Sequence, residues 1–309
     1  AAWDLLGREV LRQFARDGGS HEQALHYHAF ALELAWHAAH TVGCRAGEVH
    51  DRLALAARFQ LALGHAEQPW DFGDSDDASV VPLMLSRADA AAEWRAWLVG
   101  DDGSLRWWLG PPPMVALSSL TAGLIVHEWQ TFAVSGYAAL RSHGWVARLD
   151  ASPLGFGPLA AHGHSDALHV SIWDGPHALL IDPGTGGYHG HAELRAELAA
   201  WSAHNGPTPH EKGFKTPRRI GPFLQIQHHE TPRLVVEGST AVARFEHEKH
   251  VFQRQVRRQE DHLEIRDTED YRKPFDVAWT LAPECEICPD PAAIECAFLI
   301  RKAGKTWRL

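Results

Sequence analysis

One change of rhythm constrains the fold of this chain more than any other feature. Before the tetrapeptide Gly110-Pro111-Pro112-Pro113 apolar residues recur at steps of three and four; after it they fall into short runs that alternate with polar residues. The first spacing makes a helical stripe and the second makes one face of a strand, so two architectures must be joined at that point. The helical pattern includes Leu25, Ala29, Leu32 and Trp36, and then Leu53, Ala56, Ala57, Gln60 and Leu61. Asp17-Gly18-Gly19-Ser20 separates the first two helices, and Ser20 with Gln23 three positions on predicts a cap for the second. A further helix is expected over Ala88 to Leu98. Examples of the strand segments, set among Gly and Pro turns, are Ala167 to Trp173, Ala178 to Ile181, Arg233 to Val236, Ala241 to Phe245, Val251 to Val256 and His262 to Asp267. The expected architecture is α+β, with helices over 1–112 and an antiparallel sheet domain over 113–309.

Composition narrows the function. A net charge of −10 argues against a general nucleic-acid partner, because a polyanion would meet a repelling field. No apolar run approaches the roughly 20 residues of a membrane span. The chain opens inside an amphipathic pattern (Trp3, Leu6, Val10, Phe14), and further residues are expected ahead of it. Four cysteines are too few for a disulfide framework, and Cys285-x-x-Cys288 has no second pair to complete a zinc ribbon. The cysteines read as structural or incidental thiols.

The 22 histidines matter only where spacing gives them a partner. His162-Gly163-His164-Ser165-Asp166 reads as a strand, which would put His162, His164 and Asp166 on one face. Asp182 closes the run Ala178-Leu179-Leu180-Ile181, and His204 follows in Ser202-Ala203-His204-Asn205. Two imidazoles and a carboxylate with one position left over form a ligand set that zinc accepts, while a neighbouring histidine could face a substrate. A buried hydrogen-bonded cluster without metal is the alternative. Asp166 suits either a partner to a histidine or a loop cap. Asp74, Asp76 and Asp77 lack the spacing of a calcium loop and are expected to cap a helix. Trp94, Trp97, Trp107 and Trp108 are read as core or interface residues, with sugar stacking as the alternative. Lys212, Lys215, Arg218 and Arg219 form the dense basic stretch, suited to an acidic polymer or to a solvated loop.

Taken together, Asp17-Gly18-Gly19-Ser20-His21-Glu22-Gln23, His26-Tyr27-His28, Gly73-Asp74-Ser75-Asp76-Asp77, Ser135-Gly136-Tyr137, the HGHSDAL segment from His162, Asp182-Pro183-Gly184-Thr185 and Ala203-His204-Asn205 resemble the heparinase II/III-like polysaccharide lyases in order and spacing. The resemblance implies an incomplete (α/α) toroid followed by an antiparallel β-sandwich or stacked-sheet domain. It implies cleavage of a uronate-containing polysaccharide by β-elimination. It makes His164, Asp182 and His204 ligands of a structural Zn²⁺, Tyr27 the catalytic tyrosine and His162 the histidine facing the substrate. Tyr188 becomes a candidate for the substrate pocket, and His26 and His28 flank Tyr27 and are candidates to line it. The family also uses an Asn or Asn-His pair on a helix upstream of the tyrosine helix, which this chain does not include.

The chemistry needs no redox cofactor or nucleophile. A weakly acidic C5 proton must leave, the carboxylate must be neutralised, and the departing glycosidic oxygen must be protonated. Tyr27 could act as acid, and as base if cations lower its pKa; His162 is the alternative base. The expected partner is an acidic polysaccharide, with no nucleic acid and no membrane span, and the expected location is periplasmic or secreted. A non-catalytic glycan-binding or polysaccharide-assembly protein that keeps the fold and the metal is the rival reading. A zinc hydrolase with His162 as base is a third, weakened by the absence of a glutamate from the metal motif.

Overall fold

The computed structural model describes residues 2–64, 71–76, 78, 80, 93–94, 96–98, 100, 104–112, 129–142, 144–155, 159–210, 219–221, 224–226, 231–291 and 298–308. Helices α1 (Ala2–Gln13), α2 (Leu25–Thr41), α3 (Glu48–Leu63) and α4 (Ser104–Leu109) come first. Val10, Phe14, Leu32, Trp36, Leu53, Ala57 and Trp97 meet in one helical core, as the spacing requires. Trp94 also lies in this core and donates its indole N–H to Glu33, whereas Trp107 is exposed. Only part of the Ala88 to Leu98 segment is described, and it is helical at 93–94 and 96–98. Helix α4 has no counterpart in the sequence reading; its six residues are too few to show a periodicity.

Ser20 does not cap α2. Its hydroxyl accepts from Glu22 N, and the residue before α2 is Ala24, without a side-chain cap. The helix's first free amide, Leu25 N, instead donates to the carbonyl of Phe72. The Asp17–Ser20 turn has another task. Asp17 accepts from the amides of Val134 and Ser135 (2.7 and 3.0 Å) and from the Ser135 hydroxyl, tying the helical part to a hairpin of the sheet. Gly19 is required there, since a Cβ would stand 2.1 Å from Ser135 Oγ.

Among the described residues every strand pairing is antiparallel. A five-stranded sheet runs in the order β1 (Trp129–Phe132), β2 (Tyr137–Ser142), β3 (Trp145–Asp150), β5 (Val170–Asp174), β6 (His177–Leu180). A four-stranded meander follows, formed by β10 (Arg233–Glu237), β11 (Thr240–His247), β12 (His250–Arg258) and β13 (Leu263–Glu269). Leu140, Leu149 and Val170 of the first sheet share a core with Ala243, Phe245, Phe252 and Val256 of the second. A three-stranded sheet of β4 (Leu159–Ala160), β9 (Leu224–Ile226) and β8 (Arg219–Ile220) flanks the site. Strands β7 (Pro207–Pro209) and β14 (Phe275–Val277) pair with each other, and β15 (Glu286–Pro289), β16 (Phe298–Lys302) and β17 (Lys305–Arg308) form the last sheet. Cys44, Cys285 and Cys288 are free thiols.

Strand β2 explains how the two parts are joined. It is buried on both faces: Ala138 and Leu140 enter the inter-sheet core, while Tyr137 and Ala139 enter a cluster with Leu25, Phe59, Leu63, Phe72 and Phe132. A solvated strand would alternate, so this run signals helices on the outer face. The sheet's arginines also close the end of α3. Arg141 donates to the Gly64 carbonyl and Arg148 to that of Leu63 (3.3 Å), satisfying acceptors a helix end leaves free. Phe59→Ala, which removes a ring packed against His28, Phe132 and Tyr137, is expected to cost about 3–5 kcal/mol in denaturant unfolding.

Candidate active site

The segment from His162 to Asp166 is not a strand. It is a loop in which His162 is partly exposed and the four following residues are all buried, so no alternation survives. Its backbone bonds to scattered partners: the carbonyl of His162 accepts from Asp74 N, that of Gly163 from Gln225 Nε2 (2.6 Å), and Ser165 N donates to the carbonyl of Ala199. These bonds aim His162 and His164 at different surroundings. A Cβ at Gly163 would lie 1.9 Å from the carbonyl oxygen of Leu154, so only glycine lets the loop pass.

On the accessible side, Tyr27 projects from the first turn of α2 and stacks on the imidazole of His162, with centroids 3.8 Å apart and planes 18° from parallel. The hydroxyl of Tyr188 lies 2.8 Å from that of Tyr27 and 3.5 Å from His162 Nδ1. His162 Nε2 faces Glu22 at 4.0 Å. The structure thus brings together Tyr27, His162 and Tyr188 from three separated motifs.

His26 supports this group from the side, with its Nε2 held at 2.6 Å from the carbonyl of Ala78. His28 does not line the cleft. It is 1% exposed, wedged between Phe14 and Phe59, with Nε2 bonded to the carbonyl of Ala56 at 2.9 Å. On a helix the residue after Tyr27 points about 100° away, here into the core. The expectation that cations lower the pKa of Tyr27 is also corrected. Burial raises it, the Tyr188 hydroxyl only partly offsets this, and Asp76 adds to the rise. Tyr188 is raised well above the ordinary phenol value, by burial first and then by its bond to Tyr27. Both groups are therefore neutral phenols near pH 7.

Beneath this pair lies a buried cluster of His164, Asp182 and His204. His204 Nδ1 sits 2.8 Å from the carbonyl of Ala200, which makes it the donor and leaves Nε2 with a lone pair. His164 Nε2 lies 3.2 Å from Asp74 Oδ1, which likewise leaves Nδ1 facing inward. The two inward nitrogens are 3.3 Å apart, and Asp182 stands 3.6 Å from His164 Nδ1 and 3.2 Å from His204 Nε2. Asp182 Oδ2 is buried without an aligned hydrogen bond. A tetrahedral ion with metal–nitrogen bonds of about 2.05 Å has ligand edges of roughly 3.3 Å, close to these separations. Burial works against charge on His164, yet hydrogen bonds to Asp182 and Asp74 and their charges push its pKa to about 10. The cluster calls for a positive charge at its centre, and the donor set fits a divalent metal.

Asp74 is the residue the sequence reading misplaced. It is 2% exposed and caps no helix among the described residues: Oδ1 meets His164, Oδ2 lies 3.6 Å from His162 Nδ1, and the Arg195 guanidinium pairs with it. Burial raises its pKa, but the two histidines and Arg195 outweigh that and hold it well below the carboxylate range. Arg195 also lies over the ring of Tyr188 at 4.7 Å. Asp76 accepts from Ala78 N in a local turn, and Asp77 lies outside the described residues. Asp166 is buried near Asp150 and Asp182, and burial with those charges raises its pKa.

Two more residues fix the ligand loops. Asn205 donates to the carbonyls of Val170 (3.0 Å) and Ile181 (3.1 Å), while Arg254, fully buried, bonds Asp267, the carbonyl of Leu168 and that of Asn205. A lone Arg on a strand gave no signal of this in the sequence. The Asp182 loop is joined to the Asp74 loop where Ser75 N donates to Thr185 Oγ1 (2.6 Å).

The sequence model described as Heparinase II/III-like, C-terminal matches residues 126–309, more than half of the chain. The chain belongs to the heparinase II/III-like family. No curated protein matches the chain in sequence. A heparinase III structure with methylated lysines superposes with a TM-score of 0.67 at 20% identity, covering 99% of this chain and 46% of the other. A second heparinase III structure gives 0.64 at 15% identity, covering 96% and 49%. Heparan sulfate lyase HepC from Pedobacter heparinus gives 0.64 at 16% identity, covering 96% and 45%. This member thus spans slightly less than half the length of those relatives. These likenesses establish a shared fold of helices and antiparallel sheets. Elemental analysis of this family member is expected to find about one divalent metal per chain, and His204→Ala to abolish it. A fully loaded His204→Ala protein would contradict the assignment.

Proposed function

We propose that the protein is a polysaccharide lyase that cleaves a uronic-acid-containing polysaccharide by β-elimination. The observation that carries this reading is the stack of Tyr27 on His162, with the Tyr188 hydroxyl in reach of both. Family membership and the lyase names of the structural relatives support it. In the proposed domain scheme, residues 1–112 are the later part of an incomplete (α/α) toroid and residues 113–309 the sheet domain, working in the periplasm or outside the cell.

In this reading His162 takes the C5 proton, the C4–O bond breaks, a C4=C5 double bond forms, and Tyr27 protonates the departing glycosidic oxygen. The raised pKa of Tyr27, from burial first, favours the acid role because the phenol keeps its proton near neutrality. Tyr188, 2.8 Å from Tyr27 and 3.5 Å from His162, offers a route for returning the proton from base to acid. The metal is proposed to be zinc, held by His164, Asp182 and His204. When bound it would lock the loops that present His162 and would supply no step of the reaction.

Incubation of the full-length protein with uronate polymers, alginate and heparan sulfate among them, is expected to release unsaturated product absorbing in the ultraviolet. Tyr27→Phe should keep the melting temperature and lower kcat by about 10²–10⁴-fold. Binding without turnover by the wild-type protein would instead favour a glycan-binding role, and retained turnover in the Phe variant would reject Tyr27 as the acid. The alkaline limb of the activity profile is expected above the ordinary tyrosine range, because losing the Tyr27 proton removes the acid.

A further inference from the structure

The four-stranded meander buries one face and turns the other to solvent. Ala243, Phe245, Phe252 and Val256 enter the core shared with the five-stranded sheet, so their neighbours along β11 and β12 point outward. Strand register sets the outward side chains in rows. Arg233, Arg244 and Gln253 lie side by side across β10, β11 and β12, and in the next row Gln255 stands beside Arg266 of β13. Neither row holds an acidic residue. Like charges directly opposite each other in a sheet repel, and Arg233 faces Arg244. Asp270 at 2.8 Å and Glu246 at 3.5 Å answer Arg244. Among the described residues nothing answers the exposed Arg233 and Arg266, and nothing bonds the side-chain amides of Gln253 and Gln255.

A cationic, amide-lined face on a chain of net charge −10 runs against the protein's own field and suits an anionic partner. We propose that this outer face is a second, non-catalytic binding site for a strand of acidic polysaccharide. The ligand class comes from the proposed function, but binding here needs no turnover. Each free guanidinium matches a sugar carboxylate in two parallel hydrogen bonds, and the glutamine amides offer donors and acceptors to the hydroxyls between them. In the third row Arg257 stands opposite Glu264 and Glu237 ends the row, which bounds the cationic part. The five-stranded sheet lies between this face and the helices, because the far side of β2 packs on Leu25, Phe59 and Leu63. A polymer held here is tethered away from Tyr27 and His162, which raises its effective concentration at the cleft without touching the chemistry. Of the basic stretch noted in the sequence, Lys212, Lys215 and Arg218 lie outside the described residues, and Arg219 is partly buried under the charges of Arg195 and Asp74. Arg233 and Arg266 are far apart in sequence, and only strand register brings them to one face.

The test uses the full chain in a Tyr27→Phe background, so that turnover does not intrude. Calorimetry titrates in alginate, heparan sulfate and carboxyl-reduced alginate. The pair Arg233→Gln and Arg266→Gln is expected to lower affinity for the acidic polymers about 10-fold and to weaken its salt dependence, with the melting temperature kept. The pair Arg233→Lys and Arg266→Lys keeps the charge without the fork and should restore most of that affinity. Carboxyl-reduced alginate should not distinguish the three proteins. Unchanged affinity in the Gln pair, an equal loss for the reduced polymer, or a parent protein that binds neither acidic polymer would overturn the proposal. Sedimentation showing a dimer that the Gln pair disperses, with polymer affinity unchanged, would assign the face to a second copy of the chain and overturn it too. The lyase reading is judged apart, by unsaturated product from the wild type, and its failure leaves these affinities to decide the role of the sheet.

Discussion

The buried carboxylate of Asp74 is the joint on which the site depends. One oxygen meets His164 of the ligand cluster, and the other lies near His162 and is matched in charge by Arg195. An unpaired buried carboxylate costs several kcal/mol, so these partners are held together by the penalty of separating them. The same carboxylate fixes the orientation of the His164 ring, turning its Nδ1 toward Asp182 and His204. Geometry in the inaccessible cluster is thereby passed to the accessible imidazole under Tyr27.

The rest of the fold supports that joint from both directions. Strand β2 has no solvent face, which seats the helical part on the five-stranded sheet and fixes where the first turn of α2 emerges. Asp17 bonds the turn before β2, and Thr185 bonds the loop of Asp74, so motifs far apart in sequence are adjacent in space. On the far side Asn205 and Arg254 hold the His164 and His204 loops to strands β5, β6 and β12. Both lie fully inside, where charge and amide groups persist only if every hydrogen bond is met.

The boundary between periodicities was legible because burial imposes a period of 3.6 on a helix and 2 on a strand. The strand reading failed at His162–Asp166, where alternating polar residues mimic a strand but the backbone bonds to scattered partners, Asp74, Gln225 and Ala199. The grouping of His164, Asp182 and His204, and that of Tyr27 with His162, was visible through residue type and family motif. His28 was misjudged because sequence adjacency to Tyr27 says nothing of direction around a helix, and the structure turns it inward. Asp74 looked like a helix cap, as Asp in a Gly-rich loop usually does; only its burial against Arg195 and two histidines reveals its position. Arg195 and Arg254 carry no local pattern at all, since their partners lie at 121 and 86 or fewer positions away along the chain.

The account's central claim is that a metal-bound cluster holds His162 stacked beside Tyr27 so that both side chains face the reacting sugar. An anomalous-diffraction map at the zinc edge, from crystals of the full-length Tyr27→Phe protein soaked with a uronate oligosaccharide, examines both halves at once. The account predicts a peak among His164 Nδ1, His204 Nε2 and Asp182 Oδ2, with the sugar's C5 beside His162 and its glycosidic oxygen beside residue 27. A cluster without a peak, or a sugar bound away from these two side chains, would contradict it.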